Sequence, residues 1–329
     1  MKNRPCLLLL VATIAGFAGV AAAAGTLPLE TLPANAKWVL HLDAKALHDS
    51  SLGKELLAAL PGTPADTSLK AFDATFACDI RCDLTAVTIC GSGTVTQGGL
   101  VYLRGNWNLR KLSAGLTASH QPTTAAYGRH AILSWVDAKP AEGFVCSIAC
   151  LVSSNLVLLA KHETTLRQAL DTLDGKAPAL ATVPRFRQLA AMDTNAVLRV
   201  VAMDPKELLA DLPQAAMLPA ADSLRLALQA DAQGAHLRGI IQTPNPEAAS
   251  QMQMELVGLQ TVLLMQGLKD PAIATVAQSA RIHVTGQEVS VVLSAPLDAL
   301  KRLVFGQKHG AGSPSAPPVP PTAYPPSQP

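Results

Sequence analysis

The stretch "LTAVTICGSGTVTQGGLVYLRGNWNLRKLSAGL", Leu84–Leu116, decides the fold class. It reads as two apolar strands joined by a polar, glycine-bearing turn, "SGTVTQGG", and then a helix. "SLRLALQADAQGAHLRGIIQTPNPEAASQMQMEL", Ser223–Leu256, has the same plan. There Leu224, Leu226 and Leu228 share one strand face, with Arg225 and Gln229 on or near the other. That is the period of a half-exposed strand. "DAQGA" supplies its turn.

Two more pairs flank these in the same order. "WVLHLDAKALHDSSLGKELLAAL" (Trp38–Leu60) stands against "AVLRVVAMDPKELLADL" (Ala196–Leu212). Each predicts a short strand, a polar break and a helix. Leu47, Leu52, Leu56, Leu57 and Leu60 recur at helical spacing, and Asp204-Pro205 is a good helix start. "CSIACLVSSNLVLLAKHETTLRQALDTL" (Cys146–Leu173) stands against "SARIHVTGQEVSVVLSAPLDALKRLV" (Ser279–Val304). Each predicts a hairpin followed by a helix. The first half adds a strand at His130–Asp137, and the second carries a longer helix at Pro246–Gln266. The expectation is an α+β chain of two related halves, 25–182 and 183–308. Each runs strand–helix–hairpin–helix–hairpin–helix, with antiparallel sheet covered by helices on one face. The join falls near Asp174–Pro184. A duplicated body predicts two similar sheets, with a groove between them suited to a protein, peptide or lipid.

The termini bound the location. Lys2 and Arg4 precede the apolar run "CLLLLVATIAGFAGV", and "AAAAG" follows. That order predicts a secretory signal peptide, residues 1–24, cut after Ala23 or Ala24. An uncleaved anchor is the rival. No later stretch reads as a membrane span; "VGLQTVLLMQGL" (Val257–Leu268) is too short and carries Gln260 and Gln266. The chain has 26 Lys+Arg and 24 Asp+Glu. Loss of Lys2 and Arg4 leaves the two counts equal, so the basic balance belongs to the leader. Without a basic stripe, and with 4% aromatic residues, nucleic acid is not an expected partner. The end, "GAGSPSAPPVPPTAYPPSQP", predicts an extended Pro-rich tail from residue 309 to 329.

An exported chain meets an oxidising compartment, so Cys78, Cys82, Cys90, Cys146 and Cys150 predict structural disulfides, with buried thiols as the alternative. Cys-x-x-x-Cys is neither a zinc knuckle nor a thioredoxin-type pair. In a strand, Cys146 and Cys150 stand about 13 Å apart and would need partners elsewhere.

Other chemistry is thin. "GSGTVT" (Gly91–Thr96) leads into a strand and not a helix N-terminus, so it cradles no phosphate. "HETTL" (His162–Leu166) has Leu166 where a zinc-protease helix needs its second histidine. His41 and Asp43, at i and i+2 of one strand, are candidates for a dyad. His236 and His283 fall on strands as surface residues. Trp38, Trp107 and Trp135 read as packing positions.

"LPANAKWVLHLDAKALHDSSLGKELL", "DLTAVTICGSG", "GRHAILSWVD" and "LDTLDGKAPAL" resemble an uncharacterised family of exported bacterial proteins with a signal peptide and an α+β body. The resemblance implies no catalytic residue, cofactor or partner, and the cysteines depart from it. The expected function is a non-catalytic binding or scaffolding protein of the periplasm or cell envelope, with no metal or cofactor. The alternative is an exported hydrolase with a site of scattered residues including His41 and Asp43.

Overall fold

The computed structural model describes residues 27–76, 78–94, 99–136, 147–191, 196–209 and 221–305. The expected leader, the expected Pro-rich tail and Cys146 lie outside them.

The fold is α+β. Twelve strands form one sheet: β1 (Trp38–Asp43), β2 (Leu84–Gly91), β3 (Leu100–Gly105), β4 (Thr123–Tyr127), β5 (His130–Ser134), β6 (Ile148–Ser153), β7 (Leu156–Ala160), β8 (Leu198–Met203), β9 (Ser223–Ala230), β10 (Gly234–Gln242), β11 (Arg281–Thr285) and β12 (Glu288–Pro296). The order across it is β11-β12-β10-β9-β8-β1-β2-β3-β7-β6-β5-β4. Neighbours are antiparallel throughout, as the short polar turns require. Outward from β1 the order is β2, β3, β7, β6; outward from β8 it is β9, β10, β12, β11.

The expected two sheets with a groove between them are one sheet without a gap. β1 and β8 pair directly, with Val39 opposite Val201 and His41 opposite Arg199. Each of these strands carries backbone donors and acceptors along both edges, and mutual pairing satisfies the edge that a separate sheet would leave bare. The strand expected at His130–Asp137 ends at Ser134, and β4 precedes it as a hairpin partner.

The helices follow their caps. Asp43 Oδ1 accepts from Ala46 N–H at the start of α1 (Ala44–Asp49), and Ser50 Oγ accepts from Gly53 N–H at α2 (Ser51–Ala59). α3 (Pro64–Phe76) and α4 (Ile80–Asp83) come next. Asn108 caps α5 (Leu109–His120). α6 (Glu163–Leu173), α7 (Pro184–Ala190) and α8 (Pro205–Leu209) precede the long α9 (Pro246–Gly267), which Asn245 caps. Asp270 caps α10 (Pro271–Ser279), and α11 (Leu297–Phe305) closes the described chain. Proline at the first position of α7, α9 and α10 loses no helical hydrogen bond there.

Two cores lie on opposite faces of the sheet. On the first, Trp38, Leu42, Leu84, Val87 and Leu224 pack with Leu47, Leu52, Leu56 and Leu112 from α1, α2 and α5. Leu208, Leu297 and Leu300 bring α8 and α11 to the same face. Ala249 and Met252 of α9 pack on Val289 of β12, and α10 is wedged between α9 and its neighbours α11 and β12. On the second face, Val39, Leu100, Tyr102, Ile132 and Leu158 pack under Leu32, Leu166, Leu170 and Phe186. Helices therefore cover both faces of the first half, and not one. "VTICG", "LVYL" and "LVLL" are apolar at consecutive positions, so β2, β3 and β7 have two faces to bury.

Candidate functional site

The His41–Asp43 pair does not form a dyad. Asp43 is engaged as the α1 cap, 2.8 Å from Ala46 N. His41 Nδ1 lies 2.8 Å from the Thr88 hydroxyl on β2. Both His41 and Thr88 are buried, and Arg199 opposite is 2% exposed. Burial first, then the guanidinium charges of Arg199 and Arg104, hold the His41 pKa down to about 3. The imidazole is neutral at physiological pH and out of reach of a substrate. It serves the seam between β1 and β8.

The four described cysteines are free thiols, in place of the expected disulfides. Cys90 on β2 and Cys150 on β6 both face the second core, but β3 and β7 lie between them. Three strand spacings are about 14 Å, far beyond disulfide reach. Burial pushes Cys90 up to about 12 and Cys150 up to about 11. Burial and the Asp83 carboxylate push Cys78 up to about 12. A thiol so protonated is a poor nucleophile and a poor metal ligand. Among the described cysteines only Cys82 is exposed, its Sγ 3.5 Å from Asp79 Oδ2. In a Cys6→Ser, Cys146→Ser chain, an aromatic disulfide reagent is expected to modify one thiol at once, Cys82, and the other three only after unfolding. Rapid reaction of two or more would show that the cores are not sealed.

Among the described residues no group of three or more His, Cys, Asp or Glu is placed to hold a metal ion. His162 stands at the α6 N-terminus without a side-chain cap bond, and the Gly91 turn joins two strands. Trp38 and Trp107 are buried packing residues, with Trp38 Nε1 donating to Gly93 O at 2.6 Å. An opening bordered by Asn35, Cys90, Gly91 and Gln168 encloses about 50 Å³, room for a few waters and no larger ligand.

The feature that sequence reasoning passed over is a surface. Met254, Val257, Val262, Met265 and Leu268 are 67%, 46%, 49%, 65% and 89% exposed. Spaced three or five residues apart, they line one side of α9 and its exit, over about 21 Å. Glu255 and Lys269 bracket thirteen consecutive uncharged positions, of which Gln260, Thr261 and Gln266 carry polar side chains. The other side of the helix is fixed. Met252 is buried, and Gln260 Nε2 donates to Ala277 O at 2.9 Å. A Cβ at Gly267 would stand 2.6 Å from the Ala274 Cβ, so only glycine lets α10 turn back so closely. The stripe is thus a firm apolar ridge. No described helix is long and apolar enough to cross a membrane. Val257–Leu268 was legible as apolar in the sequence. Its exposure was not, because apolar residues occur on all sides of the helix.

No family model and no curated protein matches the chain. Among solved structures it is similar to TP0453. Crystal form III aligns at TM-score 0.48 and 11% identity, over 86% of this chain and 99% of that one. Crystal form I aligns at TM-score 0.46 and 12% identity, over 86% and 98%.

Proposed function

We propose that the protein is exported to the periplasm or cell envelope and acts by binding, with the α9 stripe docking an apolar segment of a partner polypeptide. The carrying observation is the exposure of Met254, Val257, Val262, Met265 and Leu268 along one side of one anchored helix. A contiguous apolar patch of this kind marks an interaction surface. Methionine suits it, because an unbranched, polarisable side chain adapts to a partner's contour. Charge favours a polypeptide over a lipid surface. Interfacial helices carry Lys and Arg on their polar side, whereas α9 holds Glu247 and Glu255 and no basic residue. The leader supports export. The shared strand order of the halves supports their origin as copies of one unit, with the ridge grown on the longer middle helix of the second.

The test uses a photo-cross-linking residue placed in the exporting cell at Val262 and, as a control on the same helix, at exposed Glu247. A discrete protein adduct is expected from position 262 and not from 247, and it should vanish when Val257→Glu is added. Substitutions at these exposed positions are expected to change stability by about 0.5 kcal/mol at most. Adducts with lipid alone, with a second copy of the chain, or equally from both positions would overturn the reading.

A further inference from the structure

We propose that Ser294, His236 and Asp231 form an acyl-transfer site on the second face of the sheet, in which Ser294 attacks short acyl esters. The site is separate from the α9 stripe and from the His41–Asp43 pair. His236 on β10 and Ser294 on β12 are direct cross-strand partners, so their side chains stand on one face. His236 Nδ1 lies 3.0 Å from Ser294 Oγ, and His236 Nε2 lies 3.1 Å from Asp231 Oδ2. The two ring nitrogens thus join a hydroxyl to a carboxylate.

The order of donors follows from chemistry. Asp231 sits in the turn between β9 and β10, and its Oδ1 accepts from Gln233 N–H at 2.7 Å and Gly234 N–H at 3.1 Å. These backbone donors keep the carboxyl ionised below the usual carboxylate range. An ionised carboxylate only accepts, so Nε2 carries the ring proton. Nδ1 then presents its lone pair, and the Ser294 hydroxyl donates to it. This is the arrangement a nucleophilic serine needs: a base within hydrogen-bond reach, itself oriented by a third group.

The supports are rigid. Gly234 has φ +150, and a Cβ there would meet Ala295 O at 2.1 Å, so the turn that aims Asp231 requires glycine. The Ser279 hydroxyl, at the end of α10, holds the Ser294 backbone on both sides. It accepts from Ser294 N–H at 2.8 Å, and its one proton lies between Ser294 O at 2.8 Å and Val276 O at 2.7 Å. Val292, two residues along β12 on the same face and 43% exposed, offers an apolar seat for a short acyl chain.

The step balances. Ser294 Oγ bonds the ester carbonyl carbon while its proton passes to His236 Nδ1. Collapse of the tetrahedral adduct breaks the carbonyl–alkoxy bond, and the alkoxide leaves with that proton as an alcohol. Water, deprotonated by the same nitrogen, then releases the acid and restores Ser294. His236 is 39% exposed, so the site works in water and the gain is that of general-base assistance, on the order of 10².

The test is labelling of the folded, leaderless chain with a fluorophosphonate, read by mass spectrometry of the modified peptide, alongside p-nitrophenyl acetate hydrolysis. Ser294 is expected to be the labelled hydroxyl. Ser294→Ala should abolish the adduct, and His236→Gln should slow labelling and hydrolysis on the order of 10²-fold. Asp231 is a positioning residue. Asp231→Asn should slow both reactions and change their pH profile, and Asp231→Glu should recover part of the rate. Circular dichroism confirms that each variant is folded. No adduct at Ser294 in the wild-type chain, or undiminished labelling in His236→Gln, would overturn the proposal.

Discussion

Acidification from pH 7 to pH 4 is expected to cost the fold on the order of 3 kcal/mol through His41 alone. The imidazole titrates near 6.5 when unfolded and at about 3 when folded, so between these values the unfolded chain binds the extra proton. Stability is therefore full above the unfolded pKa and falls as pH drops below it. The loss continues until the folded pKa is reached. Two positive groups, Arg199 and Arg104, repel a proton on His41. The Thr88 hydroxyl at 2.8 Å is a partner the neutral ring already satisfies. Carboxylates held below their usual range, such as Asp174 and Asp231, lose their contribution only below about pH 4. Burial, with the neighbouring Asp79 charge, raises Asp73 instead, so across the interval from pH 6.5 to pH 4.5 the contribution of His41 is read as the difference between the wild-type chain and a His41 variant. Denaturant unfolding across that interval should show falling stability in the wild-type chain and a flatter curve for His41→Gln. Equal slopes for the two would mean that His41 is not sealed at the seam.

Phe186→Ala should cost about 3–5 kcal/mol. Phe186 is fully buried and belongs to α7, the short helix that closes the second face beside Leu180. A seven-residue helix has no stability of its own, so the ring is what holds it. Removal leaves a cavity that neighbours anchored on the sheet cannot fill. The expected result is a lower denaturant midpoint with an unchanged slope. Arg187→Ala, on the exposed side of the same helix, should shift stability by about 0.5 kcal/mol or less. A loss below about 1 kcal/mol for Phe186→Ala would contradict the two-faced packing.

The hairpins were the most legible part of the chain. "VSSN" and "TGQE" are turn chemistry between apolar runs, and β6–β7 and β11–β12 follow them. So were α5, α6, α9 and α11, whose leucines or caps mark one side and one end. The second helical layer was written less plainly. Consecutive apolar residues in "LVYL" and "LVLL" ask for cover on both faces, but nothing local says which helix supplies it. α7 starts at Pro184 with Val183 in the cap position and no side-chain cap bond, so its beginning carries a proline and little else. The β1–β8 pairing joins residues about 160 apart and has no local signal at all. The same holds for the functional residues. His41 and Asp43 are close in sequence, yet Thr88 and Ala46 are their partners. His236 and Ser294 are distant in sequence and meet only because β10 and β12 lie side by side.

The most direct measurement is calorimetric titration of the leaderless chain with the segment cross-linked from position 262, made as a peptide. Saturable binding with a negative heat-capacity change is expected, since apolar surface is removed from water. Val262→Glu should weaken it at least about tenfold, the loss of one well-buried contact. Equal affinity for the wild-type and Val262→Glu chains, or no binding of the peptide while phospholipid vesicles bind, would contradict a polypeptide-docking ridge on α9.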